Sequence, residues 1–196
     1  IPVIVASVND APVAIDESFS VAANANRTDN VIANDFDAEG DALDFVDGLG
    51  DVNLGVTVQI TTDGGRTANF DFDAGGNVTF TNQGGFDDLA DGVTDTVSFD
   101  YFVEDGNGGQ SGNGIVSYLI VGVNDGPVAQ DDDVVTDEDT ILSGDVFADN
   151  GNGVDADIDG DNFVVTLVDG SGGVGVEITL PSSALLTLNS DGTFDY

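Results

Sequence analysis

A tandem repeat sets the architecture of this chain before any single residue is interpreted. Val8-Asn9-Asp10-Ala11-Pro12-Val13-Ala14 returns as Val123-Asn124-Asp125-Gly126-Pro127-Val128-Ala129. Asp35, Asp37, Glu39, Gly40 and Asp41 return as Asp155, Asp157, Asp159, Gly160 and Asp161, and Phe72, Gly76, Val78 and Phe80 match Leu188, Gly192, Phe194 and Tyr196. Three landmarks in one order, at nearly one spacing of about 115 residues, make the repeat the size of one ordinary domain. Residues 3–10 also match 118–125. Residues 1–7 therefore read as the last strand of a preceding repeat, 8–125 as a complete repeat, and 126–196 as the first part of the next, its final strands absent.

Within each repeat the hydrophobic period is two. Val56, Val58 and Ile60 alternate with Thr57, Gln59 and Thr61, and Val97, Phe99, Tyr101 and Val103 alternate with Ser98, Asp100, Phe102 and Glu104. Val174, Val176, Ile178 and Leu180 repeat the pattern against Gly175, Glu177 and Thr179. Each set places apolar groups on one face of a strand. Asp73-Ala74-Gly75-Gly76 and Ser190-Asp191-Gly192 are turn signals between such runs. No segment of a dozen residues carries the apolar stripe of a helix. The expected fold is all-β: tandem antiparallel Greek-key β-sandwiches of cadherin or Ig type, the second one incomplete.

Charge then narrows the chemistry. Thirty-eight Asp and Glu, of which 33 are Asp, stand against Arg27 and Arg66, for a formal net charge of -36. A chain with no basic patch neither neutralises nucleic-acid phosphates nor docks on an anionic membrane, and no apolar stretch is long enough to insert into one. His, Cys, Met, Trp and Lys are all absent. That removes the histidine base, the cysteine nucleophile, the Schiff-base lysine and every nitrogen or sulfur zinc ligand. The remaining donors are hard oxygens, and calcium is the cation that suits them. An enzyme is the least favoured class, because nothing singles out one pair among so many carboxylates.

The loops 35–41 and 155–161 are the candidate cation sites. Oxygen side chains at alternate positions followed by a glycine, Asp35, Asp37, Glu39 and Asp41 in one copy and Asp155, Asp157, Asp159 and Asp161 in the other, let a short loop wrap carboxylates around one ion. The spacing matches the first half of an EF-hand loop but lacks its last ligand, since Val46 and Thr166 stand there. Further oxygens must come from elsewhere. Asn9, Asp10, Asn124 and Asp125 lie at the repeat boundaries just ahead of prolines, and Asp105 and Asn107 lie in a turn between strands 96–104 and 114–122. In a Greek-key sandwich the chain entry, the early loop and this late turn meet at one end. Glu17, Asp88, Asp132 and Glu138 are secondary candidates, and most of the other acids are expected to be solvated surface.

These motifs in combination resemble the cadherin-like tandem repeats, including the VCBS type, of large bacterial surface adhesins. The resemblance rests on the Val-Asn-Asp-Ala-Pro-Val-Ala starts, the acidic loops, and Asp191-Gly192-Thr193-Phe194-Asp195-Tyr196. It rests equally on the run from Ser98 to Gly109, and it covers essentially the whole chain. It implies an extracellular extender, secreted or on the bacterial surface, in which calcium between neighbouring repeats stiffens a rod used in cell adhesion or biofilm formation. It gives Asn9, Asp10, Asn124 and Asp125 the linker-ligand role, Asp37, Glu39, Asp157 and Asp159 the loop role, and Asp105 the late-turn role. Thr136-Asp137-Glu138-Asp139-Thr140 also fits, whereas the first repeat has Val21-Ala22-Ala23-Asn24-Ala25 there. The expected partners are neighbouring repeats of the same chain, with homophilic and glycan contacts left open. Two alternatives stand beside this reading: a carbohydrate-binding accessory module of a secreted polysaccharide-degrading enzyme, and a subunit of a strand-donating extracellular fibre.

Overall fold

The structure is a computed structural model that describes residues 8–49 and 54–196. The strand expected over residues 1–7 lies outside the described residues. The chain divides into two compact units, the first ending at Asn124 and the second beginning at Asp125. No helix occurs among the described residues.

The first unit holds eight strands, β1 (Glu17–Ala22), β2 (Arg27–Asn30), β3 (Asp44–Asp47), β4 (Val58–Thr61), β5 (Thr67–Phe72), β6 (Asn77–Thr81), β7 (Thr94–Glu104) and β8 (Gly114–Val121). They form two four-stranded sheets, ordered β1-β8-β7-β3 and β2-β6-β5-β4. Pairing is antiparallel except at one edge, where β1 runs parallel to β8 from Glu17 opposite Val116 to Ala22 opposite Val121. The alternation read in the sequence is the burial pattern: Val97, Phe99, Tyr101 and Val103 point inward from β7, and Val116, Tyr118 and Ile120 from β8. The facing sheet contributes Ala68, Phe70, Phe72, Val78 and Phe80.

Aromatic rings join the two sheets. The Phe70 centroid lies 5.3 Å from Phe99 and 5.2 Å from Tyr118, and Phe72 lies 5.3 Å from Phe99 in an edge-on contact. These spacings are in the range where ring quadrupoles attract beyond simple area burial. The two buried phenols keep their polar ends satisfied at the sandwich margin. Tyr101 Oη donates to the Ile15 carbonyl at 2.7 Å, and Tyr118 Oη donates to Asp29 Oδ2 at 3.1 Å.

The second unit has four strands, β9 (Ser143–Asp145), β10 (Ile178–Thr179), β11 (Leu185–Leu188) and β12 (Thr193–Asp195), in one antiparallel sheet ordered β10-β11-β12-β9. This is the order of β4-β5-β6-β2 in the first unit. The strand expected over 174–180 shrinks to β10. Gly173 and Gly175 take φ values of 136° and 72°, and the Val176 N–H turns back to the Gly173 carbonyl, so the apparent alternation there belongs to a turn. Val56 likewise falls outside β4, just after Gly55 at φ 73°. Both glycine turns between the paired strands form as their sequences require, with Gly76 N–H closing on the Asp73 carbonyl and Gly192 N–H on that of Asn189.

Two outcomes follow from this core. Phe70→Ala removes the ring that touches Phe72, Phe80, Phe99 and Tyr118, and should cost the first unit about 3–5 kcal/mol by urea unfolding. Burial first, and then the neighbouring Asp35 and Asp29 carboxylates, push the Tyr101 and Tyr118 phenols well above their ordinary value. With folded-state values raised, their contribution to stability is complete below about pH 10 and is lost as pH climbs beyond it. Phenolate absorbance from these two residues should therefore rise together with alkaline loss of β circular dichroism.

Candidate cation site

Three segments distant in sequence meet at one end of the first unit. Asn9 Nδ2 donates to Asp105 Oδ2 at 2.6 Å, the Asp10 N–H donates to Glu39 Oε2 at 3.2 Å, and Asn107 Nδ2 donates to Asp41 Oδ2 at 2.7 Å. The chain entry, the acidic loop and the β7–β8 turn are thus laced together by amide-to-carboxylate bonds. Each of the two amide side chains sits where it offers positive hydrogens to a carboxylate.

The loop is organised by its own aspartate. Asp37 Oδ1 accepts the N–H groups of Glu39 at 2.8 Å and Asp41 at 3.2 Å, while the Gly40 N–H closes on the Asp37 carbonyl at 3.2 Å. Gly40 takes φ +80°, which a side chain would resist. This is an aspartate turn of the kind that short acidic side chains form with the backbone ahead of them. The other oxygen, Asp37 Oδ2, is buried and has no hydrogen-bond partner. A buried orphan carboxylate oxygen is costly unless something positive reaches it.

Asp105 is almost completely buried at 4% exposure. The Asn9 amide first, and then the N–H groups of the following turn, hold its carboxyl below the usual carboxylate range against the opposing effect of burial. Asp105 Oδ1 accepts the N–H groups of Asn107 at 2.7 Å and Gly109 at 2.9 Å. Gly109 is a close-approach glycine, since a Cβ there would collide with Asp105 Oδ2.

The second unit reproduces the loop. Asp157 Oδ1 accepts the N–H groups of Asp159 at 3.0 Å and Asp161 at 3.4 Å, Gly160 N–H closes on the Asp157 carbonyl, and Gly160 takes φ +77°. The Asp125 N–H donates to Asp159 Oδ2 at 2.6 Å, the counterpart of Asp10 with Glu39. The orphan oxygen of this unit is at the next acidic position, Asp159 Oδ1, the counterpart of Glu39, buried and without a hydrogen-bond partner. One carboxylate oxygen from each of Asp157, Asp159 and Asp161 lies within 4.8 Å of the others. Asn124 closes the first unit.

The remaining candidates are used differently. Asp35 and Asp155, grouped with the loops by spacing, turn instead to the segment before them. Asp35 Oδ1 accepts the Ile15 N–H at 2.8 Å and lies 3.0 Å from the Tyr101 hydroxyl, whose one proton it shares with the Ile15 carbonyl, and Asp155 Oδ1 accepts the Gln130 N–H at 2.7 Å. Burial pushes the Asp35 carboxyl above its ordinary value. Glu17 sits on β1, where burial and the Asp35 and Asp29 charges raise it. Asp88 forms a two-pronged pair with Arg66, both contacts at 3.0 Å, and Asp132 accepts from Asn150 Nδ2 at 3.1 Å. Glu138 is exposed in a turn.

Two acidic residues escaped the reading of the sequence: Asp47, expected among the solvated surface acids, is 5% exposed and its Oδ1 accepts the Leu49 N–H at 3.1 Å, and Asp95 is the second. Asp95 is 5% exposed and accepts from Thr62 Oγ1 at 2.6 Å and the Gly64 N–H at 2.8 Å, with Arg66 Nη1 at 3.5 Å. Burial works against its charge, but these donors outweigh it and hold the carboxyl low. The signal was present, because Asp95 shares the inward register of Val97 and Phe99.

The lowered Asp105 value fixes a sign. Its contribution to stability is complete above about pH 4 and is lost as pH falls through the depressed folded value. Asn9→Ala removes the first of its donors, so acid unfolding should begin at a higher pH, and carboxyl-carbon NMR should show Asp105 titrating nearer the ordinary range. An unmoved Asp105 titration would mean that the turn amides alone set its value.

Residues 9–116 and, separately, 124–196 match the bacterial Ig domain family. No curated protein gives a significant match to the chain.

Proposed function

We propose that this chain, which belongs to the bacterial Ig domain family, is a pair of calcium-stiffened extender repeats in an extracellular or surface protein that serves adhesion or biofilm formation. Domains of this family are generally found in extracellular or surface proteins. The cadherin-like, VCBS-type character, the ion and the adhesive role are the steps that the proposal adds, together with a non-catalytic task.

The observation that carries the reading is that Asn9, Asp10 and Asn107 tie Asp105, Glu39 and Asp41 together at the end of the first unit whose loop also holds the buried, unpartnered Asp37 Oδ2. Asp125, Asp157, Asp159 and Asp161 form the corresponding group in the second unit. The donors are all oxygen, flexible in number and mostly anionic, which suits calcium better than the smaller and more strongly hydrated magnesium. Bound calcium would supply a double positive charge that the chain itself lacks. Asp37 and Asp159 would turn their orphan oxygens to it, and Glu39, Asp41 and Asp161 would complete the oxygen cage.

Stiffening follows from where the chain enters. Asn9 and Asp10 stand two or three residues before Pro12, and Asp125 stands two before Pro127. Tying these residues to the loop fixes the direction in which the connecting segment approaches its repeat, and the proline limits the bend that follows. Without the ion, like charges in the loop repel and the entry segment is held only by the amide bonds described above.

Calcium titration of the calcium-free chain, with magnesium at matched ionic strength as control, tests this directly. At a hundredfold excess over the dissociation constant each site should add about 2.7 kcal/mol of stability. Amide exchange should slow at residues 9–11 and 37–41, and Asp37→Asn and Asp159→Asn should each remove one site. If thermal stability and exchange are indifferent to calcium, or respond equally to magnesium, the loops are solvated acidic turns and the reading falls.

A further inference from the structure

Four asparagines stand directly before a glycine: Asn107–Gly108, Asn113–Gly114, Asn150–Gly151 and Asn152–Gly153. In such a pair the glycine N can attack the side-chain carbonyl carbon of the asparagine, because no Cβ obstructs the five-membered ring that forms. By sequence the four are equivalent, and the fold separates them. Gly114 is buried where β8 begins, and a Cβ there would collide with the Tyr101 ring, so its N is pinned in the strand. Asn150 is half-buried, and its Nδ2 donates to the Asp145 carbonyl at 2.9 Å and to Asp132 Oδ1 at 3.1 Å, bonds that turning the amide would break. Asn107 and Asn152 are exposed. Nothing lies within 4 Å of the place where a Gly108 Cβ would stand, and Gly108 takes φ +101°. A carboxylate also lies against the attacking nitrogen. Asp105 Oδ1 accepts the N–H groups of Asn107 at 2.7 Å and Gly109 at 2.9 Å, and the Gly108 N–H between them is among the donors that hold this carboxyl low. The Gly153 N–H likewise donates to Asp149 Oδ1 at 3.1 Å.

We propose that Asn107–Gly108 is a self-modifying site, which loses ammonia without an enzyme and turns the amide that ties the β7–β8 turn to the acidic loop into a carboxylate. The Gly108 N gives up its proton to base and bonds to Asn107 Cγ, and the Cγ–Nδ2 bond breaks as the nitrogen takes a proton and leaves as ammonia. Water then opens the cyclic imide on one side or the other, giving an aspartyl or an isoaspartyl residue with no change of oxidation state. Asn152 is open to the same chemistry, but its Nδ2 donates to the Asp131 carbonyl, outside residues 155–161. At position 107 the reaction reverses an interaction. Asn107 Nδ2 donates to Asp41 Oδ2 at 2.7 Å, and after the loss of ammonia a second carboxylate faces Asp41 at a distance where like charges repel. The isoaspartyl product also adds a methylene to the main chain of the turn. The tie between turn and loop is thus broken by age and in one direction, whether or not the loop takes up calcium.

The test follows the folded chain over time in calcium-free, mildly alkaline buffer, with peptide mass mapping for exchange of the amide NH2 for OH and for isoaspartyl linkage. Asn107 and Asn152 should convert at least about tenfold faster than Asn113 and Asn150, and the four rates should converge in urea. Asn107→Gln, which keeps an amide but needs a larger ring, should silence that position and leave the other three unchanged. With age, and in Asn107→Asp from the start, the Asp41 carboxyl carbon should titrate at a higher pH by NMR. Conversion at Asn107 no faster than at Asn113 and Asn150 in the folded chain would overturn the proposal, as would the same ranking in urea, which would take the selection away from the fold. An Asp41 titration that neither ageing nor Asn107→Asp moves would overturn it equally, because the new carboxylate would not face the loop.

Discussion

Mutual repulsion among carboxylates is the constraint to which this fold answers. With a net charge of -36 and two cations, the chain cannot pair its acids with bases, and each acid must either face water or find neutral donors. The two arginines are spent beside the core: Arg27 on Asp29, which also receives the Tyr118 hydroxyl, and Arg66 on Asp88 and the buried Asp95. Elsewhere the donors are backbone N–H groups and amide side chains. Asp37, Asp73, Asp105, Asp149 and Asp157 each accept N–H groups from residues two or four positions ahead, so the abundance of Asp is tied directly to the abundance of turns. Glu, with one more methylene, reaches such local donors less well, and the preference for Asp over Glu has a conformational reason as well as an electrostatic one.

How much of this was legible in the sequence depended on whether the deciding interaction was local. The period-two run at 97–103, the glycine turns and the acidic loops are set by neighbours along the chain, and they appear where the residues place them. The meeting of Asn9, Glu39 and Asp105 followed from topology, because a Greek-key sandwich brings those ends together. Asp35 turns away from the loop for the opposite reason. Its spacing from Asp37 suits a shared loop, but the hydroxyl that claims it belongs to Tyr101, 66 residues away. The parallel pairing of β1 with β8 and the burial of Asp95 depend on partners of that same kind. At 174–177 the alternation was genuine, and glycine conformation overrode it.

Comparison of the two units separates what the loop encodes by itself from what it borrows. Residues 157–161 form the same aspartate turn as residues 37–41, with the same donors in the same order, although the core beneath them lacks a second sheet among the described residues. The bond from the entry segment is also reproduced, Asp125 to Asp159 as Asp10 to Glu39. Loop geometry is therefore a local property, and the entry contact forms without the β7–β8 turn. The contributions of Asp105 and Asn107 are different in kind, for they ride on the β7–β8 turn and reach the loop only when those strands are seated on the facing sheet. Packing of the core and completion of the acidic cluster are thus coupled through one hairpin. The strands that cover the aromatic face carry, at their connecting turn, the two residues that complete the acidic cluster in the first unit.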